Sequence, residues 1–177
     1  MIDVAIIIVS WNVRNYLSDC LRSVAADLRV SRLQGEIWVV DNASTDGTVA
    51  LLEDLFPQVH VIANHENAGF GAANNQGMRA AATHHPRYYF FLNPDTLVRT
   101  GAIGRLVKCL DERPKAGMAG ARLTYGDGRF QHSAFSFPGL GQLVFDLYRM
   151  PSRLYDCLLY TSPSPRDRTR SRMPSSA

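Results

Sequence analysis

The sequence has 177 residues, 46% of them hydrophobic and 20% charged, which is the composition of one globular domain with at most a short appendage. The net charge of +3 belongs to residues 157–177, which contain four arginines and one aspartate; residues 1–156 hold 15 basic and 15 acidic side chains of the totals of 19 and 16. Because residues 1–156 have no net charge, the sequence does not indicate a nucleic-acid-binding protein.

The sequence favours a cytoplasmic protein. The cysteines (Cys20, Cys109 and Cys157) lack the spacing of a metal site or a disulfide framework, which indicates a reducing compartment. The N-terminal segment has Asp3 where a secretion signal has basic residues, and no apolar run approaches the ~20 residues that span a bilayer. The sequence is also compatible with a protein that binds peripherally to the cytoplasmic face of a membrane.

Strand and helix patterns alternate as far as Glu112. The β-branched run VAIIIVS predicts a strand buried on both faces at Val4–Ser10, and apolar residues three and four apart predict a helix from Tyr16 to Leu28. Connections this short favour an α/β fold with a mostly parallel sheet covered on both sides. The further predicted strands are Glu36–Asp41, Val59–Ala63 and Arg87–Leu92, and the further helices run from a cap near Ser44 or Thr45 to Phe56, from Ala72 to Ala82 and from Gly101 to Glu112.

The pattern changes after residue 115. Met118–Tyr125 is compatible with a strand, and Tyr125-Gly126-Asp127-Gly128 predicts a hairpin turn. Residues 157–177 are rich in Ser, Pro and Arg, which predicts disorder. Their first residues, CLLYTSPSPRD, back-translate to a sequence that resembles a transposon-end adapter of sequencing libraries. We therefore interpret this tail as adapter-derived, and the genuine sequence as ending near Asp156 at the front of a longer protein.

Polar residues follow each predicted strand. The first strand ends in Ser10-Trp11-Asn12, the second in Asp41-Asn42-Ala43-Ser44 and the fourth in Asn93-Pro94-Asp95, while NAGFG (Asn67–Gly71) follows the third. Because the carboxyl ends of parallel strands share one edge, where doubly wound sheets bind ligands, this arrangement predicts a nucleotide site. The dinucleotide motif G-x-G-x-x-G does not follow the first strand, and the sequence contains no P-loop motif.

Each segment also has a purely structural interpretation. Asp41 is suited to accept hydrogen bonds from a base or a ribose, or else it forms an Asx turn before the next helix. The NAGFG loop offers close backbone approach and a helix N-terminus for a phosphate, or else simple helix entry. Asp95 follows the aromatic run Tyr88–Phe91, which is expected in the core. It either takes one position on a divalent cation that bridges a diphosphate or belongs to a type I turn that caps the next helix.

The histidines carry less information, and nucleophilic catalysis is not predicted, because neither Ser10 nor Cys20 has a histidine and an acid at useful spacing. His84 and His85 are expected at an exposed helix end, His60 on a strand and His65 in a loop. His132 follows the predicted hairpin, and contact with a substrate is the less favoured interpretation of this residue.

Taken together, VSWN, VVDNASTDGT, NAGFGAANNQG and FLNPDT resemble the family 2 glycosyltransferases, and among these the bacterial rhamnosyltransferase-like branch that builds cell-surface polysaccharides. The resemblance covers about residues 3–135. It implies a GT-A fold, in which a Rossmann-like nucleotide-binding half is followed by an acceptor-binding half. It also implies a nucleotide-diphospho-sugar donor, a Mg or Mn ion, inversion at the anomeric carbon, and a glycan or lipid-linked acceptor.

The resemblance also assigns site residues. Asp41 resembles the carboxylate that reads the base, and Asp95 resembles the last acid of the family's D-x-D metal motif. The other residues that resemble donor-binding positions are Val9, Ser10 and Asn12 at the end of the first strand, Asn42 and Ser44 beside Asp41, Asn67, Gly69, Phe70 and Asn74 under the ribose and diphosphate, and Asn93 in the metal motif.

The sequence departs from the family pattern in two respects. Asn93 stands where many members have the first acid of the metal motif, which lowers the charge of the site. The acidic aromatic segment that carries the general base is also absent, and the available acids, Glu112, Asp127 and Asp146, do not match it. We therefore predict a nucleotide-sugar-binding domain at 1–135 and the start of an acceptor-side region at 136–156, a donor-binding half truncated before the catalytic base.

Two rival functions stay open. A nucleotidyltransferase that makes the sugar nucleotide would carry a Gly-rich basic loop after the first strand, where this chain has VSWNVRN with Arg14 as its only basic residue. A non-catalytic sugar-nucleotide-binding module is compatible with the missing base. The sequence does not identify the nucleotide base, the sugar, the acceptor or the oligomeric state.

Overall fold

The structure, a computed structural model, describes residues 1–131. The chain forms two compact units, the first from Met1 to Ala119 and the second beginning at Gly120. No helix within the described range has both the length and the apolarity to cross a bilayer. The predictions for His132, Asp146, Cys157 and the adapter-like tail fall outside the described residues, and the predicted domain boundaries remain predictions.

The first unit alternates strands and helices, as its apolar pattern predicts. The predicted first strand is confirmed residue for residue, and each of the other three begins within one residue of its predicted start. The strands are β1 (Val4–Ser10), β2 (Gly35–Asp41), β3 (His60–Ala63) and β4 (Tyr88–Leu92), and the helices are α1 (Arg14–Ser31), α2 (Thr48–Leu55), α3 (Phe70–Ala82) and α4 (Ala102–Asp111).

The four strands form one parallel sheet in the order β3-β2-β1-β4. The chain moves in one direction from β1 through β2 to β3 and then returns to the other side of β1. This reversal places a topological switch point between β1 and β4, where doubly wound sheets open a crevice beyond the carboxyl ends of their strands. The mostly parallel α/β fold predicted from the sequence is confirmed.

β1 is buried on both faces, which explains its continuous apolar run. Ile6 and Ile8 belong to a core cluster that includes residues of α1, α2 and α4, whereas Ala5 and Ile7 pack with Ala81 of α3. Helices therefore cover the sheet on both sides. β4 lies at the edge of the described sheet, and Phe91 is 50% exposed. The expectation that the whole aromatic run Tyr88–Phe91 lies in the core is wrong for this residue, because an edge strand has a neighbour on one side only.

α4 receives its N-terminal cap from another helix. Asp27 of α1 is 2% exposed and accepts hydrogen bonds from the backbone N–H groups of Gly101 and Ile103, the latter at 2.9 Å. The first N–H groups of a helix lack intrahelical partners, so this carboxylate satisfies groups that would otherwise be unpaired. Its charge also lies at the positive end of the helix dipole.

The prediction that Asn93-Pro94-Asp95 caps the next helix is therefore wrong. These residues form a turn of their own, in which the Thr96 N–H donates to the Asn93 carbonyl oxygen at 3.3 Å, and the helix begins only at Ala102. The turn itself is confirmed.

The start of α2 also differs from its prediction. The helix begins at Thr48, whose N–H donates to Asp46 Oδ1 at 3.1 Å, and not after a cap at Ser44 or Thr45. Ser44 is unavailable as a cap because its side chain is engaged by Asp41.

The second unit begins with a small hairpin. β5 (Leu123–Thr124) and β6 (Phe130–Gln131) pair antiparallel, and the Gly128 N–H donates to the Tyr125 carbonyl oxygen at 2.9 Å. The predicted turn is confirmed, whereas the strand before it is shorter than the predicted Met118–Tyr125.

α3 approaches the sheet closely at Gly77. A Cβ atom at this position would lie 2.7 Å from Ile7 Cγ2 and 3.1 Å from Val40 Cγ2. Both partners are side chains of fully buried strand residues, so they have little room to move.

We expect Gly77→Ala to lower the free energy of unfolding by about 1–2 kcal/mol, because overpacking outweighs the gain in helix propensity. Gly71→Ala is the matched control in the same helix, since a Cβ there meets no atom within 4 Å. The control should leave the free energy of unfolding unchanged or raise it by less than about 1 kcal/mol. Urea unfolding followed by circular dichroism measures both variants, and equal losses would contradict the close packing.

Candidate functional site

The loops after β1 and β2 are joined by side-chain hydrogen bonds at the carboxyl edge of the sheet. Asp41, the last residue of β2, is 1% exposed. Its Oδ2 accepts from the Ser44 N–H at 2.8 Å and its Oδ1 from the Ser44 hydroxyl at 2.6 Å. The Ser44 hydroxyl oxygen in turn accepts from the Asn12 N–H at 2.9 Å. The end of β2 thus holds the end of β1 in a fixed position.

A second set of contacts joins the same two loops. Asn12 has a φ of +53°, a left-handed conformation that asparagine tolerates, and its Oδ1 accepts from the Thr45 N–H at 2.8 Å. Asp46 Oδ2 accepts from the Arg14 N–H at 3.0 Å. Burial acts to raise the pKa of Asp46, but the hydrogen bonds from Thr48 and Arg14 outweigh it and lower this pKa below its usual value. Asp46 is therefore ionised at neutral pH.

The amide of Asn64 extends the network to β3 and α3. Its backbone N–H donates to the Asp41 carbonyl oxygen at 2.9 Å, and its Nδ2 donates to Asn42 Oδ1 and Gln76 Oε1, both at 2.9 Å. The Asn42 N–H donates to the Ser10 carbonyl oxygen at 2.8 Å. An open cleft of about 390 Å³ lies beside this network, lined by Asn64, His65, Glu66, Ala68 and Gln76.

The NAGFG loop leads directly into α3. Asn67 Oδ1 accepts from the Gly69 N–H at 2.9 Å, and Gly69 has a φ of +79°, which glycine adopts without strain. α3 begins at Phe70, which is 60% exposed, and within residues 1–131 no side chain caps the start of the helix. Asn74 Nδ2 donates to the Phe70 carbonyl oxygen at 2.9 Å. The helix therefore presents an uncapped N-terminus, the arrangement that favours an anion.

Asp95 lies across the switch point from these loops. Leu92 pairs with Ile8, so the Asn93-Pro94-Asp95 segment leaves the sheet beside the last residues of β1. The Asp95 side chain is exposed and forms no hydrogen bond or ion pair with another of residues 1–131. Its carboxylate is therefore available to a ligand.

Cys20 lies beneath this segment, and its Sγ donates a hydrogen bond to the Asn93 carbonyl oxygen at 3.7 Å. Burial raises the pKa of the Cys20 thiol to about 11, and the nearby charge of Asp95 acts in the same direction. The thiol therefore stays protonated at neutral pH and supplies no thiolate to a cation.

The divalent cation implied by the sequence resemblance fits this segment. Mg²⁺ is commonly held by one or two carboxylates together with substrate phosphates, and Asp95 offers one free carboxylate. Asn93 adds an exposed neutral amide and no charge.

The structure places all of the sequence-predicted site residues at this one edge, in three groups. The β1 and β2 ends bring together Val9, Ser10, Asn12, Asp41, Asn42 and Ser44; the α3 entry holds Asn67, Gly69, Phe70 and Asn74; and the segment after β4 holds Asn93 and Asp95. Val9 and Ser10 are buried, and the Ser10 hydroxyl has no hydrogen-bond partner within the described residues.

The sequence patterns did not identify Asn64, Gln76 and Asp46 as members of the hydrogen-bond network at this edge. Asn64 directly follows the predicted end of β3 and is the residue that the strand-end rule would have found. Nothing in the local sequence pattern distinguishes Gln76 from the other polar residues of α3.

The chain is similar in sequence to several curated proteins, two of which are described here. The chain is 32% identical over 129 residues to TuaG of Bacillus subtilis, named as a teichuronic acid biosynthesis glycosyltransferase; the match covers 71% of this chain and 49% of TuaG. It is 30% identical over 112 residues to the N-acetylglucosaminyl-diphospho-decaprenol L-rhamnosyltransferase of Mycobacterium tuberculosis, with 59% of this chain and 36% of the relative covered. The chain thus spans half or less of the length of these curated relatives.

Solved structures show the same fold. The Staphylococcus aureus protein TarS 1–349 in complex with UDP-GlcNAc superposes with a TM-score of 0.54 at 21% identity, covering 64% of this chain and 32% of that one. The mannosyltransferase PcManGT from Pyrobaculum calidifontis in complex with GDP-Man and Mn²⁺ gives a TM-score of 0.53 at 23% identity, covering 60% and 32% of the two chains.

Residues 5–164 match the family described as Glycosyl transferase family 2, which is most of the chain. The sequence resemblance, the parallel sheet and the site at its carboxyl edge agree with this match. The chain belongs to glycosyltransferase family 2.

Proposed function

We propose that the carboxyl edge of the sheet binds a nucleotide-diphospho-sugar, whose sugar is transferred with inversion to a cell-surface polysaccharide or lipid-linked acceptor. The observation that carries this proposal is the position of Asp95, whose carboxylate has no partner among residues 1–131 and lies across the switch point from the Asp41–Ser44–Asn12 network. The names of the two relatives support the acceptor class, since one includes teichuronic acid and the other a diphospho-decaprenol.

In this proposal, Asp41 and its partners form the wall that contacts the nucleotide base. Asp41 is 1% exposed and each of its carboxylate oxygens accepts one hydrogen bond from Ser44, so it acts by holding Ser44 and the exposed Asn12 in place at the surface of this wall. The network around Asp41 holds this wall before the ligand arrives, so little side-chain freedom is lost on binding.

The diphosphate lies between the start of α3 and Asp95. The uncapped N-terminus of α3 and the glycine backbone of the NAGFG loop favour negative charge close to the chain. Asp95 would hold the divalent cation, which, when bound, stabilises the charge that develops on the leaving diphosphate.

Of the acids considered for the general base, neither Glu112 nor Asp127 is suited to the role. Glu112 forms an ion pair with Lys108 at 3.6 Å. It follows Asp111, which binds Arg87 and Tyr88 at the start of β4, the opposite edge of the sheet. Asp127 accepts from Arg129 Nε at 2.6 Å, and hydrogen bonds from Arg129 lower its pKa, which makes it a weak base. We therefore place the base outside residues 1–131.

The proposal is tested by titrating the full chain with UDP, GDP and dTDP, and with the matching triphosphates, with and without Mn²⁺. We expect one of the diphosphates to bind about tenfold more tightly when Mn²⁺ is present, a difference of about 1.4 kcal/mol. Preference for a triphosphate would favour a nucleotidyltransferase. Equal diphosphate affinity with and without Mn²⁺ would favour a non-catalytic module. The absence of binding under every condition would overturn the proposal.

A further inference from the structure

A second group of potential ligands lies at the opposite, amino edge of the sheet. Glu36 is near the start of β2, His60 is the first residue of β3, and His84 follows the end of α3. One ligand atom from each side chain lies within 4.8 Å of the others. Asp41 ends the same strand, five residues after Glu36, and five residues of a strand span roughly 16 Å, so this group is separate from the donor site.

The three side chains are held by different contacts. His84 Nδ1 lies 2.9 Å from Glu36 Oε1. The His60 ring stacks on Trp38, with ring centroids 4.1 Å apart and planes inclined by 16°. The His60 and His84 rings are nearly perpendicular, with centroids 5.5 Å apart. Trp38 is 8% exposed, so the stack fixes the plane of the His60 ring.

An ion pair between His84 and Glu36 accounts for only part of this arrangement. Glu36 Oε2 is buried and has no hydrogen-bond partner within the described residues. A buried carboxylate oxygen without a donor is unfavourable unless a cation or another ligand satisfies it. The ion pair also leaves unexplained why a second imidazole is stacked within ligand distance of the same carboxylate.

We propose that Glu36, His60 and His84 form a binding site for Zn²⁺. Two imidazole nitrogens and one carboxylate are a usual ligand set for this ion, whereas Mg²⁺ and Ca²⁺ prefer oxygen ligands alone. Tetrahedral bonds of 2.0–2.1 Å place ligand atoms about 3.3 Å apart, so the cluster must contract slightly. The His84 side chain is 38% exposed and has room to rotate inward. Zn²⁺ bound through His84 Nδ1 needs this nitrogen without a hydrogen, so any hydrogen in the Nδ1–Glu36 contact would move to Nε2 or to solvent.

A Zn²⁺ ion at this site would link β2, β3 and the segment that follows α3; the sheet itself links only the two strands. β2 and β3 are neighbouring strands, whereas His84 belongs to the segment between α3 and β4. Zn²⁺ bound to all three fixes the end of α3 against the sheet and stabilises the folded chain by mass action. The donor site is not touched.

Zn²⁺ binding to the full chain is measured by isothermal titration calorimetry, with Glu36→Gln and His84→Ala as the site variants. His85→Asn is the matched control, because His85 is the adjacent exposed histidine and asparagine tolerates its φ of +52°. We expect each site variant to lose one Zn²⁺ equivalent or to bind it at least tenfold more weakly, and His85→Asn to match the unmodified chain. Equal Zn²⁺ affinity in all three variants would overturn the proposal.

A second measurement needs no change to the ligands. The chain has two tryptophans, so Trp11→Phe leaves Trp38 as the sole indole, stacked on His60. Cu²⁺, which binds imidazole more tightly than Zn²⁺ and quenches a nearby indole, should then reduce the Trp38 emission at one equivalent. Excess Zn²⁺ should restore part of the emission. Unchanged emission on addition of Cu²⁺ would contradict the site even if a ligand variant failed to fold.

Discussion

Asp95→Asn is expected to remove the Mn²⁺-dependent part of nucleoside diphosphate binding, which weakens affinity in the presence of Mn²⁺ by at least about tenfold, or 1.4 kcal/mol. The substitution keeps the shape of the side chain and removes only its charge. Without the metal, the variant and the unmodified chain should bind the diphosphate equally.

The expected effect is large because no neighbouring group among residues 1–131 replaces the lost charge. Asn93 is neutral, the Cys20 thiol stays protonated with a pKa of about 11, and the Asp95 carboxylate has no partner among the described residues that would otherwise hold it in place. A cation bound through one protein carboxylate and the diphosphate depends on that carboxylate directly.

Asp54→Asn provides the matched control, since Asp54 is an exposed acid on α2 and lies outside the site network. It should leave diphosphate affinity unchanged with and without Mn²⁺. If both variants lose affinity to the same extent, the effect reflects overall charge and not a ligand at Asp95. If neither variant changes, Asp95 does not hold the cation.

The sequence predicts this edge well because strand ends are local features. An apolar β-branched run, followed at once by Asn, Asp or Ser, marks both the end of a buried strand and the polar group beside it. In a parallel sheet these ends share one edge, so Asp41 and Asp95 could be placed together although 54 residues separate them. The strand order, and thus the switch point, needed the structure.

Contacts made across the fold were not predictable in this way. Asp27 lies within α1, whose sequence pattern predicts an amphipathic helix. Its partners Gly101 and Ile103 are 74 and 76 residues away in the sequence. Glu36, His60 and His84 are each separated by 24 residues, one strand-helix unit apart, so no short motif contains two of them. The histidine His84, expected to be an exposed helix-end residue, contacts Glu36 because the end of α3 returns to the start of β2.

Asp27→Ala is expected to lower the free energy of unfolding by about 2–3 kcal/mol. The carboxylate satisfies the N–H groups of Gly101 and Ile103 in a place where water has little access, and unpaired buried donors cost about 1–3 kcal/mol. The loss of an N-terminal cap adds to this cost, and the better helix propensity of alanine offsets only a part of it.

Asp19→Ala is the control for this substitution, because Asp19 is an exposed aspartate on the same helix. It should change the free energy of unfolding by no more than about 0.5 kcal/mol. Urea unfolding followed by circular dichroism gives both values, and amide hydrogen exchange locates the damage. In Asp27→Ala the first turn of α4, from Ala102, should exchange faster while β1 stays protected. Equal losses in the two variants, or unchanged exchange in α4, would show that the helix does not depend on this distant cap.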